Sequence, residues 1–163
     1  VTMISSARTA RLAREVKLFK AKPPWGVSCR PEKPDHYDVL LVNMLGPKGS
    51  PYENGTFKLS ITIPEKYPFE PPIVKFITSV YHPNIDKGGR ICMDMLKMPP
   101  KGAWLPTITL EMLVISIQTL LANPNPDDPL MMDVANEYKH DRDKFIENAR
   151  VHTKKYAVKD SAR

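Results

Sequence analysis

Cys92 is the one residue of this chain whose neighbours are spaced for nucleophilic chemistry. It lies in the stretch YHPNIDKGGRICMDML, Tyr81 to Leu96, with Asn84 of a His-Pro-Asn turn eight residues before it and Asp94 two residues after. Arg90 and Lys87, close in sequence, would favour a thiolate there. The bland alternative is that cysteine behaves as a small buried hydrophobe, and that reading fits Cys29 in the strand-like VSCR. A histidine–cysteine pair is the obvious first thought, because a thiol nucleophile is often activated by an oriented imidazole. Pro83, however, restricts His82 to extended backbone geometry, which makes it read as a turn residue. None of His36, His82, His140 and His152 is placed by sequence as a base. Two isolated cysteines and scattered histidines match no structural zinc spacing.

The elements that must position this stretch can be read from periodicity. Residues 5–20 form an amphipathic helix capped by Ser5 or Ser6, with Leu12, Val16 and Phe19 as its apolar stripe and its basic residues as an exposed band. Strands follow at VSCR, YDVLLVNML, TFKLSITIP and Ile73–Ile77. In the third, Phe57, Leu59, Ile61 and Ile63 alternate with Thr56, Lys58, Ser60 and Thr62. Their short Gly- and Pro-marked connections require an antiparallel meander, since parallel pairing needs a longer crossover. Residues 64–106 follow neither period and hold eight of the 17 prolines; long irregular stretches of this kind are often functional. An apolar helix over Ile108–Ala122, buried on more than one side, leads into two more helices within PDDPLMMDVANEYKHD and RDKFIENARVHTKKYA. The class is α+β: a helix, a four-stranded meander, a long loop and three helices.

Bulk properties narrow the functions. The 163 residues fit one domain, and 42% hydrophobic with 26% charged residues reads as soluble and globular. No apolar run nears the roughly 18 residues of a membrane span. The N-terminal stretch lacks the apolar core of a signal peptide. With only two cysteines the chain is expected to be intracellular and reduced. Of the net charge of +6, much lies at the ends. Arg8, Arg11, Arg14, Lys17, Lys20 and Lys22 stand against Glu15 alone, and eight basic residues face four acidic ones from Lys139 to Arg163. Basic ends suit nucleic acid, an acidic protein partner or simply a solvated helix face. They lack the interleaved aromatics on which bases stack, which disfavours direct nucleic-acid binding.

YPFEPP at Tyr67–Pro72, YHPNI…GRICMDML at Tyr81–Leu96 and NPNPDDPL at Asn123–Leu130, joined by SPYENGTFKL at Ser50–Leu59, occur here in order. Together they resemble the core of the ubiquitin-conjugating (E2) enzymes, and the similarity spans about residues 8–156, leaving a short basic tail. The resemblance implies the UBC fold in a single domain over 1–163. It implies that ubiquitin arrives from an E1 enzyme as a thioester on Cys92 and passes, with a RING E3 ligase, to a substrate lysine. It also explains the missing base. A thioester that must wait for its acceptor is safer without a neighbouring group that activates water, and a thiol with a pKa near the usual ~8.5 is a few per cent ionised at neutrality. His82 then shapes the turn. Asn84 takes the family's oxyanion position, where a neutral amide donor stabilises developing charge or holds the adjacent loop. Asp128 takes the acidic gate that orients the incoming lysine, with Asp127 and Asp94 as weaker candidates, since aspartates in such turns often bond only backbone. Arg8, Arg11 and Arg14 fall on the helix that faces E1 and E3, and Phe69, Pro106 and Thr107 on the two loops that RING domains grip. No bound cofactor or metal is implied, ATP being consumed by the E1.

Lys97-Met98-Pro99-Pro100-Lys101-Gly102-Ala103-Trp104 is an insert most like that of the T-type branch of the family. That likeness implies monoubiquitination of DNA-repair clamp proteins in the Fanconi anaemia pathway, with nuclear and cytoplasmic location. Lys97, five residues beyond Cys92, is either a self-modification site or an ordinary exposed loop lysine. A ubiquitin-binding scaffold without conjugating activity and a basic nucleic-acid-binding module are the alternatives to an enzyme.

Overall fold

The computed structural model describes residues 3–159, with side chains from Ser6 onward. Helix α1 (Met3–Ala21) is followed by strands β1 (Val27–Lys33), β2 (His36–Leu45), β3 (Thr56–Thr62) and β4 (Ile73–Phe76). A long irregular segment with one 3-10 turn (Asp94–Leu96) then leads to α2 (Leu110–Ala122), α3 (Met132–His140) and α4 (Arg142–Tyr156). The strands form one antiparallel sheet in the order β1-β2-β3-β4. This is the α+β arrangement that the resemblance implies.

The register follows from the hydrophobic alternation, because residues two apart on a strand share a face. Met44 pairs with Phe57, Val42 with Leu59 and Leu40 with Ile61. Leu59 and Ile61 in turn pair with Phe76 and Val74. All eight are buried, so one face of the sheet is a continuous apolar layer. Leu12, Val16 and Phe19 of α1 are buried too, and α1 packs against β1, β2 and α2.

Three expectations need correction. Helix α1 begins at Met3, so Ser5 and Ser6 lie inside it and neither can be its N-cap. The basic residues of α1 are not one exposed band: Arg8 and Arg11 are half-buried, with guanidinium groups tied to carbonyls of other segments. Helix α2 buries a single stripe (Leu110, Leu113, Val114, Ile117 and Leu121), while Met112 and Ile115 are exposed despite their apolarity. Its start is also two residues later than expected, because Thr109 caps it by accepting the Met112 N–H at 3.1 Å.

The irregular segment is tied to the sheet. Phe76 donates its N–H to the Gly89 carbonyl at 2.9 Å, and isolated bridges join Lys75 to Arg90 and Ile85 to Ile91. Gly89 has φ +84°, and a Cβ there would sit 2.0 Å from the Phe76 carbonyl oxygen. Only glycine allows both the left-handed backbone and that approach, which holds the segment leading into Cys92 against β4. Further on, Trp104 is buried and its indole N–H donates to the Pro68 carbonyl at 3.0 Å, closing the segment onto the loop between β3 and β4.

Candidate active site

Cys92 is half-exposed and anchored through its own N–H, which donates to the Asn84 carbonyl at 2.9 Å. Its thiol donates to Asp128 Oδ2 at 3.3 Å, and Lys97 Nζ approaches the sulfur at 3.6 Å. Partial burial, reinforced by the Asp128 carboxylate, raises the thiol above the usual range, and the Lys97 ammonium opposes that rise. The cation at the sulfur is therefore Lys97, where sequence proximity suggested Arg90 and Lys87. Arg90 instead turns back to Asp86, with Nε 2.6 Å from Oδ2. Cys29, facing the core from β1, is pushed up to about 11 by burial alone, which suits an inert thiol.

His82 is buried and committed at both ring nitrogens. Nε2 donates to the Leu120 carbonyl at 2.8 Å, and Nδ1 accepts the Asn84 N–H at 2.9 Å. This pairing fixes the Nε2–H tautomer. Burial lowers the imidazole to about 4, so it is neutral at physiological pH and has no free lone pair to offer the cysteine. The His-Pro-Asn turn thereby welds the cysteine loop to the end of α2.

Asn84 is fully buried. Its amide donates to the carbonyls of Asn125 at 2.7 Å and Asp128 at 3.0 Å, and its Oδ1 accepts the Asn125 N–H at 2.8 Å. The Pro83 carbonyl accepts the N–H groups of Leu130 and Met131 at 2.9 and 3.0 Å. The Asn123–Leu130 loop is thus strung along the turn, which is how Asp128 reaches a cysteine 36 positions away in the chain. Asn84, Cys92 and Asp128 are one cluster. Asp127 points elsewhere, pairing with Lys139 of α3 at 2.9 Å. Asp94 opens the 3-10 turn, and its carbonyl accepts the N–H groups of Lys97 and Ala103.

The residues assigned to partners lie apart from this cluster. Arg14 is exposed on α1, as are Pro106 and Thr107 on the loop before α2. Phe69 is 56% exposed on its turn between prolines. Arg11 joins two of these regions, donating to the carbonyls of Pro106 and Ile108. Arg8 binds the carbonyls of Ile63 and Pro64 and pairs with Asp38 at 3.0 Å. Glu15 was not anticipated as a site residue. Buried, it accepts the Tyr67 hydroxyl at 2.5 Å and the Leu110 N–H at 2.8 Å, placing a carboxylate at the N-terminus of α2. Its spacing could have revealed it: positions 12, 15, 16 and 19 are one helical stripe, so a carboxylate at 15 must be buried and satisfied.

Among the described residues no group of three or more His, Cys, Asp or Glu side chains could hold a metal ion, and no helix is long and apolar enough to cross a membrane. Comparison with known proteins agrees with the geometry. The family model for ubiquitin-conjugating enzyme matches residues 11–153. The chain is 52% identical over 150 residues to ubiquitin-conjugating enzyme E2 T of Bos taurus, covering 92% of this chain and 76% of that one. It is 50% identical to the Homo sapiens E2 T over the same shares of both chains. Ubiquitin-conjugating enzyme E2 N of Macaca fascicularis is 42% identical, over 91% of this chain and 94% of that one. A cysteine presented on a pinned loop without a histidine base, in a chain matched along most of its length, leads to one assignment: the protein belongs to the ubiquitin-conjugating (E2) enzyme family.

Proposed function

We propose that Cys92 accepts ubiquitin from an E1 enzyme as a thioester and, with a RING E3, passes it to a substrate lysine. The observation that carries this reading is the full commitment of His82: the sulfur is reachable, and the imidazole of the same motif cannot serve it. In loading, the Cys92 thiolate attacks the E1-bound thioester carbonyl and the E1 sulfur leaves. In discharge, the lysine nitrogen bonds to the carbonyl carbon and the bond to Cys92 breaks. Asp128, beside the sulfur at 3.3 Å, orients the amine and takes up its proton. Asn84 keeps the Asp128 loop in place and supplies an amide donor to the oxyanion when one of its two loop carbonyls is released.

Arg14, Phe69, Pro106 and Thr107 form the surface read by E1 and the RING domain, with Arg8 and Arg11 bracing the helix and loop that carry it. Likeness to the T-type relatives in the Lys97–Trp104 insert supports single ubiquitins placed on DNA-repair proteins in the nucleus. Lys97, within reach of the sulfur, is a self-modification site that damps activity when acylated. The function is tested by incubation with E1, ATP and ubiquitin. A reductant-sensitive adduct that disappears in Cys92→Ala supports it, and absence of any adduct would leave a ubiquitin-binding scaffold.

A further inference from the structure

Two groups of opposite charge face the reacting sulfur from different elements. Asp128 comes from the loop after α2 and Lys97 from the residue after the 3-10 turn, at 3.3 and 3.6 Å. Of the other charged side chains on these two loops, Arg90 bonds Asp86 and Asp127 bonds Lys139. Asp94, which opens the turn that Lys97 follows, is exposed.

The position of Lys97 is built into the chain. Its N–H donates to the Asp94 carbonyl at 3.1 Å, and its carbonyl accepts the Trp104 N–H at 3.0 Å. Gly102 lies flat against it: a Cβ there would fall 2.2 Å from the Lys97 carbonyl oxygen and 2.3 Å from the Lys97 Cβ. Buried Trp104 locks the far end of this short loop to Pro68. A loop folded so tightly on one residue fixes where that side chain starts, and here it starts within reach of the sulfur.

Resting on the function proposed above, we propose that Lys97 is a catalytic residue whose ammonium stabilises the Cys92 sulfur whenever it carries negative charge. During loading that charge is on the attacking thiolate, whose proton has gone to solvent. During discharge the amine nitrogen bonds to the carbonyl carbon, the C–S bond breaks with its electron pair left on sulfur, and the amine proton goes to Asp128 or water. Lys97 keeps its proton throughout. In the loaded enzyme the sulfur is neutral and the ammonium has no anion to stabilise. The interaction therefore strengthens as charge develops, which is the condition for lowering a barrier. Because both groups are solvent-accessible and screened, an effect of about 5- to 10-fold is expected at low salt. Asp128 acts on the same sulfur with the opposite sign.

Alkylation of Cys92 by iodoacetamide tests this without E1 or ubiquitin, so its outcome is independent of whether the chain conjugates ubiquitin. In a Cys29→Ala background, rates are measured from pH 6.5 to 10 at low and high salt. Lys97→Met should slow the reaction about 5- to 10-fold at neutral pH, with the gap closing at about 1 M salt. Lys97→Arg, which cannot be acylated but keeps the charge, should stay within about 2-fold of the parent. Asp128→Asn should speed the reaction. A Lys97→Met rate equal to the parent's across the pH range would overturn the proposal. So would a Lys97→Arg rate as slow as that of Lys97→Met, which would trace the effect to packing.

Discussion

The side-chain amide of Asn84 is closed on Asn125, donating to its carbonyl at 2.7 Å and accepting its N–H at 2.8 Å. A third bond, to the Asp128 carbonyl at 3.0 Å, extends this clasp to the residue that faces Cys92. Asn84→Ala removes all three and leaves buried loop groups unpaired. It should lower stability by about 2–3 kcal/mol and speed hydrogen exchange at the Asn125 amide. Discharge to lysine should fall by about 100-fold while loading by E1 falls only a few-fold. Equal losses in the two half-reactions would mean that Asn84 acts through the fold alone.

Asp128 should matter most where the acceptor amine is protonated. Asp128→Asn is expected to slow discharge to free lysine by about 10- to 100-fold near neutral pH. The defect should shrink as pH approaches about 10, where the amine loses its proton unaided. Single-turnover discharge across that range checks the profile; a pH-independent defect would show that the carboxylate only positions the lysine.

His82 predicts a pH dependence of stability. Its folded value of about 4 lies below the unfolded value near 6.5. Between those limits the unfolded chain binds the extra proton, so stability is fully present above about pH 6.5 and is lost as pH falls toward 4. The contribution at stake is up to about 3 kcal/mol. Urea unfolding at pH 7, 6 and 5 should show a smaller fall in midpoint for His82→Gln than for the parent. Parallel slopes would remove His82 from the account.

Glu15 carries three donors from three segments: Arg11, Tyr67 and Leu110. Glu15→Ala leaves the Tyr67 hydroxyl and the Leu110 N–H unpaired, while Arg11 keeps the Pro106 and Ile108 carbonyls, and it strips a carboxylate from the N-terminus of α2. About 2–4 kcal/mol of destabilisation is expected, read from chemical denaturation. Glu15→Gln keeps acceptor geometry and should lose clearly less.

The sheet was legible because its signal is local and repeated: Phe57, Leu59 and Ile61 alternate, and their pairing with β2 and β4 follows from one buried face. Cys92, Asn84 and Asp128 were legible through their motifs and prove to be one cluster. Sequence distance failed where direction mattered. Arg90 lies two residues from Cys92 yet turns to Asp86, while Lys97, five residues away, is folded back by the loop ending at Trp104. The role of Glu15 depends on which helix face meets Tyr67 and Leu110, and composition made it look like a minor acid on a basic helix. Met112 and Ile115 made α2 look buried on more than one side, but periodicity alone does not reveal how many sides of an apolar helix are covered.

The central claim is that Cys92 itself carries ubiquitin through its sulfur, and Cys92→Ser tests it most directly. With E1, ATP and ubiquitin, the parent should form an adduct that thiol reductant releases within minutes. Cys92→Ser should form an oxygen ester that survives reductant and yields to hydroxide. A reductant-sensitive adduct persisting in Cys92→Ser, at Cys29 or elsewhere, would contradict the account.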